Sequence, residues 1–371
     1  MKKSWQFIYT ALVAVAAAVA AIGIGAIVLL ILGADVFAVY KVILTEPLKD
    51  MFGITEIFVR AVPLILVALG IAIAFRAGIL NIGAEGQIQM GIVAAAAVAI
   101  ALPGAPSYIA LPLTLIAGAL GGGIWASIAG WLKARLGVNE ILSTVMLNYI
   151  AAQFYGFLLR GPMIDPAELQ MGSGTPQSVR LPKTAWIGRM LQGTRLHWGI
   201  AIALVLAVVV YILLWRTTWG YKMRAAGAEA KAARYGGIKV ESCLLAAMIL
   251  SGAFAGLAGA VEVTAVHRRA IEGISSGYGF SGIVVALFGG LHPAGIIPSA
   301  FFFGLLLIGA DMTQRTMSVP ANMVLVLQGA VILSIISAKM FINDPYARDK
   351  FTRWAGKLFR RSAAREGEAK R

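Results

Sequence analysis

Long runs of apolar residues, separated by short polar segments, follow one another along almost the whole chain. A helix needs about 20 apolar residues to cross the hydrocarbon core of a bilayer, and several of the runs reach that length. The runs are continuous rather than alternating, which argues against a transmembrane β-barrel. Because backbone groups in lipid must bond within their own segment, each run is expected to be a helix. The pattern predicts an all-α, polytopic bundle of membrane helices.

We expect about ten transmembrane helices, one of which is short or broken. Nine are predicted from apolar runs. Eight of these runs lie at residues 10–32, 57–75, 108–131, 140–159, 198–215, 243–266, 294–310 and 321–338, and the ninth ends at residue 102. The tenth segment, residues 278–291, is too short to cross the membrane perpendicularly. Because Gly289-Gly290-Leu291-His292-Pro293 interrupts it, we interpret it as a short helix packed inside the bundle.

The composition agrees with a membrane protein. The 371 residues are 59% hydrophobic and 13% charged, whereas about 25% of the residues of a soluble domain are charged. A net charge of +15 on a soluble protein would suggest nucleic-acid binding. Here the basic residues lie between the apolar runs and in the C-terminal tail, where they orient helices in a membrane. We therefore expect contact with membrane lipid and none with nucleic acid.

The same basic residues predict the topology. Two lysines precede the first run, and residues 344–371 contain nine basic and four acidic residues, so both termini are expected in the cytoplasm. We divide the chain into a transmembrane domain, residues 1–343, and a basic cytoplasmic tail, residues 344–371. Counting the spans places the longest polar loop, residues 161–197, outside the cell. The basic, alanine-rich loop at residues 216–240 is then cytoplasmic, and its composition predicts helix.

No resident cofactor or metal is expected. Cys243 is the single cysteine, which excludes an intrachain disulfide and a cysteine-based metal cluster. The three histidines lie far apart in the sequence. The sequence has no G-x-x-x-x-G-K-[ST] phosphate-binding motif, and no nucleophile–base arrangement or pair of carboxylates within a span. An enzyme is therefore not expected, and any ATP would be bound by another subunit.

Polar residues interrupt the start of the third apolar run, in the sequence Asn81-Ile82-Gly83-Ala84-Glu85-Gly86-Gln87. We interpret this segment as a break in a helix, followed by a span. Polar groups at membrane depth are costly and commonly mark a transport path, which makes Asn81, Glu85 and Gln87 candidates for the path. The alternative is that they satisfy the free backbone groups at helix ends.

Three further residues are candidates for the same path. Asn148 lies within the run at 140–159, where it could line the path or form a hydrogen bond between helices. Phe280 and Ser281 begin the short helix, where they could line the path or only pack against their neighbours.

Four segments of the chain are similar to one known family. They are Asn81 to Gln87, residues 137–148 (GVNEILSTVMLN), residues 279–290 (GFSGIVVALFGG) and the loop around residues 227–238. With them, residues 56–338 resemble the permease subunits of ABC importers in the branched-chain amino acid, ribose and nucleoside group. The resemblance is greatest to nucleoside or simple-sugar permeases that work with lipoproteins of the basic-membrane-protein type.

The resemblance implies an inner-membrane permease that moves a nucleoside or a simple sugar into a bacterial cytoplasm. It also implies three partners: an ABC ATPase subunit, often with tandem nucleotide-binding domains; a second, related permease or a copy of this one; and an extracytoplasmic solute-binding lipoprotein. The loop at 216–240 resembles the element that docks on the ATPase, with Glu229 at a position where asparagine is usual. The implied coupling residues are Arg224, Gly227, Glu229, Ala232, Ala233 and Gly237.

An ion-coupled secondary transporter of a small polar solute is the main alternative. Such transporters are built from inverted repeats with broken helices near the middle of the membrane, and the two glycine-interrupted segments could be interpreted in this way. The spans contain few candidate proton or sodium sites, which favours the ATP-driven importer.

Overall fold

The computed structural model describes residues 33–172 and 175–317, most of residues 19–31, and isolated positions among residues 13–16 and 326–338. The predicted tail at 344–371 and most of the predicted span at 321–338 lie outside the described residues. The predicted span at 10–32 is described only in part. The described residues are mostly helical, and among them are isolated β-bridges but no strand.

The described part contains thirteen α-helices. They are α1 (Ile22–Ile31), α2 (Val36–Thr45), α3 (Met51–Arg76), α4 (Ala84–Ala101), α5 (Ser107–Leu136), α6 (Glu140–Arg160), α7 (Pro166–Met171), α8 (Gly199–Arg216), α9 (Thr218–Ala228), α10 (Ala230–Tyr235), α11 (Val240–Val261), α12 (Tyr278–Phe288) and α13 (Pro293–Met317). Short 3₁₀ turns lie at Glu46–Leu48 and Lys183–Ala185, and a π-helical turn, Glu262–His267, continues α11.

Seven of these helices are long and apolar enough to cross a membrane: α3, α4, α5, α6, α8, α11 with its π-helical turn, and α13. Each corresponds to one apolar run that the sequence predicts. Helix α12 has 11 residues, in agreement with the short helix expected there. The all-α membrane bundle is thus confirmed, and the described residues support seven spans rather than the ten expected.

Residues 42–312 form one compact unit, and residues 1–41 with 313–371 form a second. In the second unit, Tyr40 Oη donates a hydrogen bond to the backbone oxygen of Ile22 at 2.7 Å, which links α2 to α1. The first unit contains α3 to α12 and α13 as far as residue 312.

Helix α3 is the centre of the larger unit, and every residue from 61 to 74 is buried. This degree of burial explains why its sequence is apolar on all sides rather than on one face. Helices α4, α5, α8, α11 and α12 surround α3 directly or pack on its neighbours.

Helices α5 and α11 cross closely because glycines line their contact. A Cβ atom added to Gly122 would lie 2.3 Å from the backbone oxygen of Gly252, and one added to Gly256 would lie 2.2 Å from that of Gly118. Small residues let membrane helices approach until their backbones touch, which compensates for the absence of a hydrophobic driving force in lipid.

Candidate functional site

The segment between α3 and α4, residues 77–83, is not helical, and we call it the break. Its centre is the fully buried side chain of Asn81. Asn81 Nδ2 donates to Gln87 Oε1 and to Ser251 Oγ, both at 2.8 Å. Asn81 Oδ1 accepts from the backbone nitrogen of Gly83 at 2.9 Å and from Gln87 Nε2 at 3.0 Å. All four hydrogen-bonding positions of this amide are therefore occupied.

Asn148 attaches α6 to the break and to the first turn of α4. Its Nδ2 donates to the backbone oxygen of Ile82 at 2.9 Å, and its Oδ1 accepts from the backbone nitrogen of Gly86, also at 2.9 Å. The Gly86 nitrogen belongs to the first turn of α4, where backbone donors have no partner within the helix. A Cβ atom on Gly86 would lie 3.0 Å from Asn148 Cα, so the glycine permits this close approach.

Glu85 joins the beginnings of two helices. It lies in the first turn of α4, and its carboxylate accepts from the backbone nitrogens of Gly277 at 3.3 Å and Gly279 at 2.8 Å, where α12 begins. A negative charge at a helix N-terminus is favourable because the backbone dipoles point their positive ends there. The helices also touch, since a Cβ atom on Gly279 would lie 2.3 Å from the Glu85 nitrogen.

The other end of α12 is bonded to the other side of the break. Arg76, the last residue of α3, donates from Nε to the backbone oxygen of Leu291 at 3.2 Å and from Nη2 to that of Gly290 at 3.1 Å. Arg76 precedes the break and Glu85 follows it. Helix α12 is therefore held at both ends by residues that flank the break.

Of the six candidate path residues, the structure brings Asn81, Gln87 and Asn148 together around the break. Glu85 lies beside them, where α4 meets α12. Phe280 and Ser281 lie in the first turn of α12, Ser281 buried and Phe280 50% exposed. The bonds of the four polar residues near the break correspond to the capping and interhelical roles that the sequence left open. Phe280 is the member of the six whose side chain is most accessible.

The predicted loop at 216–240 contains two helices, α9 and α10. Gly227, near the end of α9, touches the break: a Cβ atom there would lie 2.3 Å from the backbone oxygen of Arg76. From the opposite side, a Cβ atom on Gly78 would lie 2.8 Å from Gly227 Cα. The two backbones are thus in direct contact, and side chains at either position would separate them.

Helix α10 presents most of its surface to solvent. Glu229 is exposed and caps α10, accepting from the backbone nitrogen of Lys231 at 3.2 Å. Tyr235 is 97% exposed. Of the other candidate coupling residues, Ala232 and Gly237 are exposed, and Ala233 is buried in a small cluster with Ala226 and Val240.

An aromatic and cationic cluster, which the sequence analysis did not identify, connects α9 to the bundle. The Arg76 and Arg224 guanidinium carbons lie 5.4 Å and 5.8 Å from the centre of the Trp215 ring. The His292 ring lies 4.7 Å from the same ring. Arg76, Trp215 and His292 each border a predicted span, which is the signal that could have found them, and Arg224 is one of the predicted coupling residues. Through them, α9 contacts the end of α3 and the turn between α12 and α13.

A family model described as the permease component of the branched-chain amino acid transport system matches residues 53–336. The chain belongs to this permease family. The permease is 35% identical over 328 residues to the guanosine ABC transporter permease protein NupP of Bacillus subtilis, an alignment that covers 88% of this chain and 93% of the relative.

Two other relatives are similarly close to the permease. The glucose ABC transporter permease protein TsgB13 of Haloferax volcanii is 34% identical over 333 residues, covering 87% of this chain and 86% of the relative. The nucleoside ABC transporter permease protein NupB of Lactococcus lactis is 32% identical over 327 residues, covering 86% and 88%. The chain is therefore the permease subunit of an ABC importer whose ATPase activity belongs to a separate subunit. This membership favours the ATP-driven importer over the ion-coupled transporter.

Proposed function

We propose that the permease moves a nucleoside into the cytoplasm, with a simple sugar as the second choice of solute. The relatives of the permease support these two kinds of solute, because their names specify guanosine, nucleosides and glucose. The partners we propose are an ABC ATPase with tandem nucleotide-binding domains, a second permease subunit that is either related or identical, and an extracytoplasmic solute-binding lipoprotein.

In this proposal the protein lies in a bacterial inner membrane with both termini in the cytoplasm. The two shorter apolar helices, α1 and α12, and a span within residues 321–338 would bring the number of transmembrane segments to ten. The α9–α10 segment then faces the cytosol, and the connection at 161–197 faces outside. The basic residues of the α9–α10 segment fit the cytoplasmic side of a membrane.

The observation that carries the proposal is the direct contact of α9 with the break. An ATPase that binds the exposed face of α10 would push on α9, and Gly227 would press on Gly78. A packed backbone contact transmits displacement because protein interiors are dense and resist compression. The break would carry the movement to the network around Asn81.

In this proposal, side-chain contacts also pass the movement from α9 to α12. Arg76 holds the carbonyl end of α12 and touches Trp215, which in turn lies beside Arg224 of α9. Eleven helical residues extend about 16 Å, so Glu85, at the opposite end of α12, lies about half a bilayer from Arg76. We propose that α12 tilts during transport and that Glu85 and Phe280, at the end of α12 remote from Arg76, border the solute path.

A functional reconstitution tests this proposal. The permease is purified with its ATPase and second permease, placed in liposomes and supplied with the lipoprotein loaded with radiolabelled guanosine or glucose. We expect ATP-dependent accumulation of guanosine that stops when Gly227 is replaced by Val, because the larger side chain separates α9 from the break. The matched control is Gly104→Val, at a site where an added Cβ meets no atom within 4 Å, so uptake should continue.

Two results would count against the proposal. Accumulation that persists without ATP and collapses with an uncoupler would indicate an ion-coupled transporter. Full uptake by the Gly227→Val complex would show that force does not pass through the contact between α9 and the break.

A further inference from the structure

Helix α3 contains one accessible charge in an otherwise buried stretch. Residues 61–74 are all buried, whereas the Arg60 side chain is 28% exposed. Arg60 lies 16 residues before Arg76 in the same helix, which corresponds to about 24 Å at 1.5 Å per residue. Since Arg76 marks one end of the span, Arg60 lies well inside the bundle, toward the opposite end.

Arg60 is bonded to residues from two other helices. Its Nη1 donates to Tyr278 Oη at 2.7 Å, and its Nη2 contacts Asp311 Oδ2 at 3.2 Å. Tyr278 begins α12 and is buried, whereas the Asp311 side chain, on α13, is 39% exposed. These bonds leave free lone pairs on the carboxylate, further N–H groups on the guanidinium, and the hydroxyl hydrogen of Tyr278 available to donate.

Lipid is an unfavourable neighbour for this pair. Placing an arginine or an aspartate of a membrane helix in hydrocarbon costs about 2.5–3.5 kcal/mol or more for each group. The exposed parts of Arg60 and Asp311 therefore indicate water or another polar molecule beside them.

A second ion pair lies one helical turn away on the same side of α3. Glu56 and Arg60 are four residues apart, which places them on one helix face. Arg195, from the connection at 161–197, donates to both carboxylate oxygens of the buried Glu56, with an Nε–Oε1 distance of 2.8 Å. This connection therefore covers α3 on the outer side of Arg60.

We propose that Arg60, Asp311 and Tyr278 form a solute-binding site in the outer part of the transport path, specific for a neutral ring with adjacent hydroxyl groups. The inference rests on the proposed function and names the chemistry that the path would recognise. A carboxylate accepts hydrogen bonds from two neighbouring hydroxyls at once, and the guanidinium and phenol donate to hydroxyl or ring oxygens. Because the two charges already balance, a charged solute would leave one of them unpaired in a buried site. The ribose of a ribonucleoside fits this chemistry, and a 2′-deoxyribose lacks one of the two hydroxyls.

Cysteine labelling tests whether the site is open to water and to solute. Cys243 is the single cysteine of the chain, so a Leu307→Cys substitution in a Cys243→Ser background gives one reactive thiol. Leu307 is partly exposed and lies four residues before Asp311 on the same face of α13, so the Arg60–Asp311 pair stays intact. The complete complex in membrane vesicles is treated from each face with a charged, membrane-impermeant thiol reagent. We expect labelling at position 307 that is slowed several-fold by saturating ribonucleoside but not by its 2′-deoxy analogue.

Two control positions show how an unreactive thiol and a freely reactive thiol behave in this assay. Val205→Cys, on the exposed apolar face of α8, should not react, because a thiol in lipid stays protonated. Leu191→Cys, exposed in the connection at 161–197, should react freely. An unreactive position 307 beside a reactive position 191 overturns the inference, and so does labelling that ribonucleoside does not slow.

Uptake measurements distinguish a solute-binding role from a structural one. We expect Asp311→Asn to raise the KM for a ribonucleoside roughly tenfold or more, as expected for the loss of a charged hydrogen-bond partner, and to reduce the preference over the 2′-deoxy analogue. Exchanging the charges in an Arg60→Asp/Asp311→Arg variant should recover part of the thermal stability that Asp311→Arg alone removes, but not uptake. Recovery of uptake in the exchanged variant would show that the pair only holds helices together.

The failure of this inference can be separated from failure of the proposed function. A wild-type complex that takes up neither nucleoside nor sugar in the presence of ATP would defeat the proposed function. A wild-type complex that transports ribonucleoside, together with an unchanged KM and preference in the Asp311→Asn variant, would defeat only the binding site at Arg60.

Discussion

The amide of Asn81 holds the break in one conformation. It bonds to one residue of α4, one of α11 and one within the break, and it is fully buried. Removing a partner from such a network leaves the remaining donors and acceptors without bonds in a place that water does not reach. A single asparagine therefore determines whether the end of α3, the start of α4 and the middle of α11 keep their relative positions.

Replacing Asn81 tests this network. Asn81→Ala should destabilise the permease by about 1–3 kcal/mol because it leaves Gln87 and Ser251 unpaired. The Asn81→Ala/Gln87→Ala double variant should lose less than the sum of the two single losses, since the two amides bond to each other. Thermal unfolding in detergent measures both effects. Strictly additive losses would mean that the two side chains do not interact.

His197, in the connection before α8, makes the stability of the folded permease depend on pH. Its Nδ1 accepts a hydrogen bond from the backbone nitrogen of Gly199 at 3.1 Å, which requires that this nitrogen carry no proton. Burial lowers the pKa of His197 from 6.5 to about 4. The unfolded chain therefore binds a proton between these pH values that the folded chain does not bind. The stability that His197 contributes is fully present above pH 6.5 and is lost as the pH falls toward 4.

The expected loss is about 3 kcal/mol across this pH range, since one pKa unit corresponds to about 1.4 kcal/mol. Thermal unfolding of the detergent-solubilised permease at pH 7.5, 6.0 and 4.5 measures the loss. A His197→Asn variant, which keeps a possible acceptor but cannot titrate, should show a flatter profile. Equal pH dependence in the two proteins would assign the effect to other groups.

At the scale of elements, apolar run length was sufficient to predict much of the fold. The seven long helices, the short helix α12, the break before α4 and the helical segment before α11 all lie where the sequence places them. The side-chain partners could not be predicted. Asn81 meets Ser251, and Arg76 meets Trp215, only because helices distant in sequence become neighbours. Apolar periodicity carries no information about which helices pack together.

The crossing of α5 and α11 depends on the absence of side chains. Gly256→Ala should destabilise the permease by about 1–3 kcal/mol, because its Cβ would overlap the α5 backbone and the helices would have to move apart. Alanine ordinarily stabilises a helix by up to about 1 kcal/mol relative to glycine, so a loss identifies the contact as the cause. Gly104→Ala is the control, since nothing lies within 4 Å of a Cβ atom there. Unfolding temperatures of the two variants should differ clearly. Equal temperatures would contradict the close crossing.

Trp215 is expected to couple α9 to α3. Trp215→Leu removes the ring between Arg76 and Arg224, and each cation–π contact contributes about 0.5–2 kcal/mol. We expect ATP hydrolysis by the assembled complex to continue while solute uptake falls, whereas Trp215→Phe should retain part of the uptake. Parallel assays of hydrolysis and uptake measure this ratio. Loss of both activities in equal proportion would indicate a defect of assembly instead.

In the whole molecule, we distinguish a rigid core from a part that we propose moves. The buried α3 and the glycine-lined crossing of α5 and α11 form the rigid part. Helix α12 is short and is held at its two ends by the flanks of the break, and it is the part that we propose moves. The α9–α10 segment touches those flanks and is exposed on its other side, where the force of a separate ATPase could enter.

The most direct test of this account is a photo-crosslinking measurement on the assembled transporter. A photoreactive amino acid replaces Tyr235, the exposed aromatic residue of α10. A second variant of the permease carries the same amino acid at position 191, in place of Leu191, as a control. The account predicts that illumination joins position 235 to the ATPase subunit and position 191 to no cytoplasmic partner. Crosslinking of position 235 to the extracytoplasmic lipoprotein, with transport intact, would contradict it.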